Sequence, residues 1–265
     1  MRRRVALSVG LLGLLLLGAA GGAFYYWRHH QTFTPRPPPK TAVVLQAPEA
    51  PAPTDTPTPL ATPTPEPTPT PLPTSVRLAV PFTVQAPFAN WDAAHEEYCE
   101  AAALLMVRNY YRKDGRAEIP KAEADRDMGT IVALERRTFP GILDLPLADM
   151  AQVGGALDPP LQGEVVKADV DETKRALAAG WPVIIPVMTH GGPGGQKIKP
   201  YYGSTNVYHV ILVIGYDESG QLITNDAGIK EGENLTYSWD MLSTAMDAQA
   251  QRFSQGRVML VFRPK

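Results

Sequence analysis

The sequence contains one cysteine among its 265 residues. A single thiol excludes an internal disulfide framework and any zinc site built on several cysteines. The five histidines and the carboxylates are scattered without the spacing of a metal-binding motif. We therefore expect neither a metal nor an organic cofactor, and the lone thiol requires an explanation of its own.

The chain also lacks an excess of positive charge, with 25 lysines and arginines against 27 aspartates and glutamates. Residues 1–75 hold 6 of the basic and 3 of the acidic residues, which leaves 19 and 24 in residues 76–265 and a net charge of −5 there. Nucleic-acid binding needs clustered Lys and Arg to neutralise phosphates. We therefore expect no nucleic acid among the partners.

Near the N-terminus, three arginines precede an uncharged run of 23 residues at positions 5–27. At about 1.5 Å per residue, a helix of this length spans a hydrocarbon core of about 30 Å. Four aromatic residues end the run as an interfacial belt would, and the arginines favour a cytoplasmic N-terminus. The pattern predicts a single-pass signal anchor within residues 1–33, which attaches an extracytoplasmic domain to the cell membrane. The alternative is a signal peptide cleaved within residues 1–23, which would release the domain as a secreted protein.

Proline is concentrated in the next segment, since 15 of the 27 prolines lie between Pro35 and Pro73. Proline fixes φ and removes a backbone donor, so residues 34–75 favour an extended polyproline II chain over a packed core. At about 3.1 Å per residue, such a disordered linker reaches on the order of 100 Å. Residues 76–265 remain for one folded domain with a single hydrophobic core.

Within this domain, helical patterns precede most of the strand patterns. Apolar spacing predicts helices over residues 97–111, 121–136, 145–152 and 171–179. Alternating or continuous apolar runs predict strands over residues 78–84, 165–170, 182–187, 207–216, 222–225 and 257–263. We expect Asp171 to cap the last helix and Gly180 to end it. The order of elements indicates an α+β domain with an antiparallel sheet.

Cys99 lies at the start of the first predicted helix. The thiolate is the nucleophilic form of cysteine, and an ordinary thiol is mostly protonated at neutral pH. The first turn of a helix carries partial positive charge and unpaired N–H groups, which favour a thiolate and can bind an oxyanion. The competing interpretation is a small buried side chain with no chemical role.

His209 interrupts the most apolar predicted strand, where an unpaired imidazole is costly. It is a candidate general base for the thiol, or else a core histidine with satisfied hydrogen bonds. Asp226 follows the next strand, and a turn at residues 217–220 makes the two strands neighbours. An aspartate that accepts from the other imidazole nitrogen fixes its tautomer and orientation. Asn225 competes for this role, because alternation allows only one of the two to face His209.

Four further residues are candidates for the same site. The side-chain amide of Gln85 can donate to a developing oxyanion. Trp91 is a candidate for the wall of a cleft, and His95 and His190 are rival bases. The glycines of residues 191–195 are not followed by Lys and Ser or Thr, so we interpret this segment as a loop beside the site rather than a phosphate-binding loop.

Three segments resemble the bacterial C-39-like cysteine peptidases, relatives of the domain that removes double-glycine leaders from bacteriocins: VPFTVQAPFANWD, CEAAALLM and YHVILVIGYDESGQLITNDAG. The resemblance covers about residues 80–240. It implies a papain-like fold, in which a helix carrying the cysteine packs on an antiparallel sheet carrying the histidine and aspartate. It also implies Cys99 as nucleophile, His209 as general base and Asp226 as orienting residue. By the same resemblance Gln85, with the backbone N–H of Cys99, is the oxyanion donor.

The sequence departs from this family at two positions. Gln85 lies fourteen positions before Cys99, whereas the leader-processing members have only a few residues between the two. Glu100 follows the cysteine, where glycine is frequent in the family. The first departure inserts a loop into the segment that would form the oxyanion hole.

Taken together, these features predict an exported, membrane-tethered thiol hydrolase that cleaves peptide or amide bonds. The expected partner is a peptide or protein substrate, cell-wall peptide included. The alternatives are a non-catalytic peptide- or cell-wall-binding module on the same fold, and an NlpC-type cell-wall peptide hydrolase with the same order of Cys and His. The reactivity of the thiol separates the enzymes from the binding module.

Overall fold

The structure is a computed structural model, and it describes residues 71–113, 115–253 and 255–263. The anchor predicted within residues 1–33 and the linker up to residue 70 lie outside the described residues. No helix in the described ranges is long and apolar enough to cross a membrane. The start of the folded domain at residue 76 stays a prediction.

Five α-helices and seven strands make up the regular structure of the described residues. The helices are α1 (Cys99–Tyr111), α2 (Lys121–Thr138), α3 (Leu147–Gly155), α4 (Val170–Ala178) and α5 (Trp239–Arg252). The strands are β1 (Val76–Arg77), β2 (Gln162–Lys167), β3 (Val183–Met188), β4 (Tyr208–Tyr216), β5 (Leu222–Asn225), β6 (Leu235–Tyr237) and β7 (Val258–Arg263). A 3₁₀ turn at His95–Glu97 leads into α1.

The strands form one antiparallel sheet in the order β2-β7-β3-β4-β5-β6, and β1 pairs with the far end of β4. All nine residues of β4 are buried, which matches its near-continuous apolar sequence. The helix that begins at Cys99 packs on this sheet, and His209 lies within β4. The predicted α+β class with an antiparallel sheet is confirmed.

Side chains on the two faces of β4 enter two separate cores. Val210 and Leu212 pack in one core with residues of α1, α2 and α3. Ile211 and Val213 pack in the other with residues of α4 and α5. Burying a side chain of this size contributes about 1.5–3 kcal/mol. The central strand is therefore held firmly from both sides, and His209 at its start has a rigid support.

Several element boundaries differ from the sequence prediction. Asp169, not Asp171, caps α4: its Oδ1 accepts from the N–H of Glu172 at 2.8 Å, because the helix begins at Val170. Gly180 ends the helix as expected, with φ of +84°. The strand predicted over 78–84 is wrong: β1 ends at Arg77, before this segment, and within the segment Phe82 forms an isolated bridge to Glu118.

Sequence reasoning missed β6 and the fourteen-residue helix α5. A signal for α5 was present at its start, where the Ser238 hydroxyl accepts from the N–H of Met241 at 3.1 Å and caps the helix. The helix packs against Gly191, whose added Cβ would lie 2.9 Å from the Cα of Ala245. Its apolar face is made mainly of small or flexible side chains, so the periodicity is weak.

We expect Gly215→Ala to destabilise the fold by about 1–3 kcal/mol, because overpacking against backbone is poorly tolerated. Gly215 lies at the irregularity of β4 where β1 crosses, and a Cβ there would meet the carbonyl oxygen of Val76. Gly129→Ala is the matched control, since its Cβ meets nothing within 4 Å and alanine favours a helix by about 1 kcal/mol. Urea unfolding of both variants measures the two changes, and a Gly215→Ala variant as stable as the wild type would contradict the close packing of β1.

Candidate active site

Cys99 is the first residue of α1, and its side chain is buried. Its S–H donates to Oε2 of Glu100 at 2.8 Å. A backbone hydrogen bond from Val210 on β4 also reaches the sulfur. Because Val210 directly follows His209, the thiol and the imidazole share one end of β4.

His209 pairs with Asp226 in the interior of the domain. The distance between Nε2 of His209 and Oδ1 of Asp226 is 2.9 Å, and the two side chains are 5% and 0% exposed. Asp226 directly follows the last residue of β5, which is hydrogen-bonded to β4. With Nε2 engaged by the carboxylate, Nδ1 is the imidazole nitrogen left for a thiol proton.

The choice between Asn225 and Asp226 follows from the direction of the two side chains. Asn225 donates from Nδ2 to the carbonyl oxygen of Val80 at 3.2 Å, and its Oδ1 accepts from the N–H of Asn234 at 3.4 Å. Asn225 thus ties two chain segments together, while the next side chain faces His209. The structure therefore brings Asp226, not Asn225, to the imidazole.

The carboxylate of Asp226 receives donors at both of its oxygens. Oδ1 accepts from the N–H of Gly228 at 3.1 Å in addition to the imidazole. Oδ2 accepts from the hydroxyls of Tyr202 at 2.6 Å and Tyr237 at 2.7 Å. Burial raises the pKa of Asp226, but the charge and hydrogen bond of His209 and the two tyrosine hydroxyls outweigh it, so the pKa lies below its usual range. The carboxylate is therefore ionised at neutral pH and can stabilise an imidazolium.

Tyr202 also covers one side of the imidazole. Its ring lies edge-on to the ring of His209, with 5.6 Å between the centroids. The residue belongs to the loop between β3 and β4, which also holds the glycines of residues 191–195. The first two of these glycines are buried, and an added Cβ on Gly192 would lie 2.7 Å from Sδ of Met241 on α5. This end of the loop is therefore packed against α5.

Gln85 lies between the turn before Cys99 and the loop after Asp226. Its Nε2 donates to the carbonyl oxygens of His95 at 2.9 Å and Glu96 at 3.2 Å, and its backbone N–H donates to Ala227. Its Oε1 is buried and has no hydrogen-bond partner among the described residues. The structure thus brings Gln85 to the turn before Cys99, but its amide group donates to two backbone carbonyls there.

The other three candidates lie outside this arrangement. His95 contacts the carboxylates of Asp92 at 2.8 Å and Asp125 at 2.9 Å. Burial lowers the pKa of His95, but the two aspartates outweigh this and raise it. His190 makes a contact from Nε2 to the carbonyl oxygen of Gly203 at 2.9 Å, and Trp91 is exposed. The side chains of both rival histidines are engaged by groups other than the thiol.

Glu100 contacts the thiol, although sequence reasoning noted it only as a departure from the family and not as a site candidate. Its side chain is buried, Oε1 accepts from the N–H of Leu145 at 3.0 Å, and Oε2 accepts from Cys99. Burial, with the nearby charges of Glu135 and Asp144, raises the pKa of Glu100 to about 8. Burial and the Glu100 carboxylate in turn raise the pKa of the Cys99 thiol well above its usual range. The signal for this residue was a charged side chain within an otherwise apolar helical run.

Residues 77–250 match the Peptidase_C39 like family. The chain belongs to this family. The cysteine peptidase class predicted from the sequence is therefore confirmed at the level of the family, and peptide or protein is the corresponding class of substrate. The roles of the individual side chains remain predictions.

No curated protein matches the chain. Several solved structures align with this C39-like chain. One is a protein from Bacillus anthracis described as a C39-like peptidase. It aligns with 16% identity and a TM-score of 0.45, over 72% of this chain and 98% of that one. A fragment of prointerpain A from Prevotella intermedia aligns with 13% identity and a TM-score of 0.44, over 72% of each chain. Xylellain, a cysteine protease from Xylella fastidiosa, aligns with 16% identity and a TM-score of 0.36, over 73% of this chain and 87% of that one.

We expect Gly228→Ala to displace the imidazole and to reduce the rate of Cys99 alkylation by roughly tenfold or more. An added Cβ on Gly228 would lie 2.8 Å from Cε1 of His209 and 3.0 Å from Nε2. Gly203→Ala is the matched control, because its Cβ meets nothing within 4 Å. The measurement is the iodoacetamide reaction rate at neutral pH, with circular dichroism to verify folding. Equal rates in a folded Gly228→Ala protein and the wild type would show that thiol reactivity does not depend on the placement of the imidazole.

Proposed function

We propose that this chain is an exported, membrane-tethered thiol hydrolase that cleaves peptide or amide bonds. In this proposal Cys99 is the nucleophile, His209 the general base and Asp226 the carboxylate that orients the imidazole. The observation that carries it is the buried contact of 2.9 Å between His209 and Asp226. It lies at the same end of β4 as the backbone of Val210, which hydrogen-bonds the sulfur of Cys99. Family membership supports the reaction class.

The first half of the reaction forms a thioester. Nδ1 of His209 takes the thiol proton, and the sulfur of Cys99 attacks the carbonyl carbon of the substrate. The tetrahedral intermediate then collapses, the C–N bond breaks, and the imidazolium returns its proton to the leaving amine. Asp226 stays ionised throughout, because four donors hold its carboxylate, and it stabilises the imidazolium by charge.

The second half of the reaction hydrolyses the thioester. His209 takes a proton from water as the water oxygen attacks the carbonyl carbon. Collapse of the second tetrahedral intermediate breaks the C–S bond, and the imidazolium protonates the departing sulfur. The products are a carboxylic acid and the free thiol of Cys99, so no external reductant or oxidant is consumed.

The oxyanion of each intermediate needs hydrogen-bond donors. The backbone N–H at the start of α1 is one of them in this proposal, supported by the partial positive charge of a helix N-terminus. Gln85 is the other, and to act it must turn one amide hydrogen from the carbonyl of His95 or Glu96 toward the substrate.

Export and tethering rest on the sequence. The apolar run at residues 5–27 and the proline-rich residues 34–75 support an anchor followed by a spacer. The end of the spacer contacts the domain, since the hydroxyl of Tyr216 donates to the carbonyl oxygen of Pro73 at 2.9 Å. A domain held at a distance from the membrane suits a substrate in the cell envelope, which includes cell-wall peptide.

A non-catalytic peptide-binding module is the second candidate, and one observation favours it. The thiol of Cys99 donates to the Glu100 carboxylate, and this contact holds the sulfur in its protonated, unreactive form. In such a module the His209–Asp226 pair would serve only to stabilise the core. Thiol reactivity separates the two functions.

The test is the rate of Cys99 alkylation by iodoacetamide in the purified full-length protein, compared between wild type and His209→Ala. We expect His209→Ala to react roughly 100-fold more slowly than the wild type near neutral pH, because without His209 no imidazolium stabilises the thiolate. His190→Ala is the matched control and leaves the rate unchanged, since the hydrogen bonds of His190 go to Asn206 and Gly203 of its own loop.

If Cys99 reacts at the rate of an ordinary thiol and His209→Ala leaves that rate unchanged, the proposed hydrolase is refuted and the binding module is favoured. With a reactive thiol established, incubation with a denatured protein or with cell-wall peptides identifies the substrate class. Cys99→Ala provides the background rate for both substrates.

A further inference from the structure

Glu100 touches the reacting sulfur and has no role in the mechanism described above. Its Oε2 accepts from Cys99 at 2.8 Å, and its Oε1 accepts from the N–H of Leu145 at 3.0 Å. Only 2% of the residue is exposed to solvent. The carboxyl group is thus oriented by a backbone donor with one oxygen directed at the thiol.

The charged surroundings of Glu100 are mainly acidic. Glu135 on α2 is buried, and its Oε1 has no hydrogen-bond partner among the described residues. Asp144 precedes α3 and pairs with Arg252 of α5 at 3.4 Å. The titratable and charged groups that act on this site from the neighbouring elements are Cys99, Glu135, Arg136, Asp144, Tyr208 and Arg252.

Two negative charges at the contact between sulfur and carboxyl oxygen are unfavourable in this environment. A thiolate beside an ionised Glu100 would place like charges about 3 Å apart in a buried region that already contains a second carboxyl group. A protonated Glu100 removes this repulsion and supplies an O–H donor at the same distance. The thiolate is therefore compatible with the protonated acid and not with the carboxylate.

We propose that Glu100 is a catalytic residue of this site, which in its protonated form stabilises the Cys99 thiolate by donating a hydrogen bond to it, and which on ionisation disfavours the thiolate so that the sulfur returns to the unreactive thiol. The inference rests on the proposed hydrolase function. In the reactive state the thiol proton is on Nδ1 of His209, and a further proton, taken from solvent, is on Oε2 of Glu100. This second proton stays on Glu100 through attack and collapse, so it adds no net transfer to the reaction.

The direction of the pH dependence follows from these protonation states. Burial and the charges of Glu135 and Asp144 raise the pKa of Glu100 to about 8, so the acid is mostly neutral below this pH and ionised above it. The thiol is therefore expected to be reactive near neutral pH and to become less reactive as the pH rises through about 8. An ordinary thiol shows the opposite trend, because its thiolate fraction increases with pH.

The experiment measures the pH dependence of iodoacetamide alkylation in the full-length protein, with thiolate absorbance as a second readout. Glu100→Gln keeps the acceptor for Leu145 and directs an uncharged N–H donor at the sulfur. We expect this variant to lose the alkaline decline and, one unit above pH 8, to react roughly tenfold faster than the wild type.

Glu135→Gln is expected to change the pH profile of alkylation in the direction opposite to Glu100→Gln. Removal of the like charge of Glu135 lets Glu100 ionise more easily, so the alkaline decline moves to lower pH while the contact with Cys99 is kept. This variant tests the inference even where Glu100→Gln does not fold. The infrared band of a protonated carboxyl group at neutral pH, present in the wild type and reduced in Glu100→Gln, is an independent spectroscopic check.

The outcomes separate this inference from the proposed function. If His209→Ala loses rapid alkylation while Glu100→Gln and Glu135→Gln keep the wild-type pH profile, Glu100 only supports the loop at Leu145 and the inference is wrong. If His209→Ala itself has no effect, the hydrolase mechanism fails, and the role of Glu100 fails with it. Three results together support both the proposed function and this inference. Glu100→Gln loses the alkaline decline, Glu135→Gln shows it at lower pH, and His209→Ala loses rapid alkylation.

Discussion

The buried carboxylate of Asp226 is the constraint on which the rest of the site depends. An isolated charge in the interior costs several kcal/mol unless donors and a partner charge replace water. Here the donors come from separate parts of the chain: His209 on β4, Tyr202 in the loop before it, Tyr237 on β6 and Gly228 in the loop after β5. Satisfying one carboxylate therefore fixes two loops and a strand around the imidazole.

Two buried acids lie near the imidazole and the thiol, and their environments shift their pKa values in opposite directions. Asp226 has four donors, and its pKa is lowered although burial acts to raise it. Glu100 has one backbone donor and acidic neighbours, and burial with these charges raises its pKa to about 8. In the proposed mechanism Asp226 is ionised beside the imidazole and Glu100 is protonated beside the thiol, so both carboxyl groups favour the imidazolium–thiolate pair.

Much of the fold was predictable where burial is continuous or a local rule applies. The strand at Tyr208–Tyr216 is apolar throughout because both of its faces enter a core, and Leu222–Asn225 follows after a short turn. The helix at Trp239–Arg252 was missed because its buried face includes small and polar side chains such as Ala245 and Gln249. Their burial depends on contacts with β3 and the glycine-rich loop rather than on a local pattern.

By itself, the sequence determined that Cys99 begins a helix and that His209 interrupts an apolar strand, since both are matters of local pattern. Only the tertiary structure decided that Asp226 rather than Asn225 meets the imidazole, because the choice depends on where β5 ends and how it pairs with β4. The surroundings of Glu100 depend likewise on Leu145, 45 positions along the chain. Charges, donors and burial brought together over such separations set the pKa of a side chain, and no local pattern in the sequence specifies them.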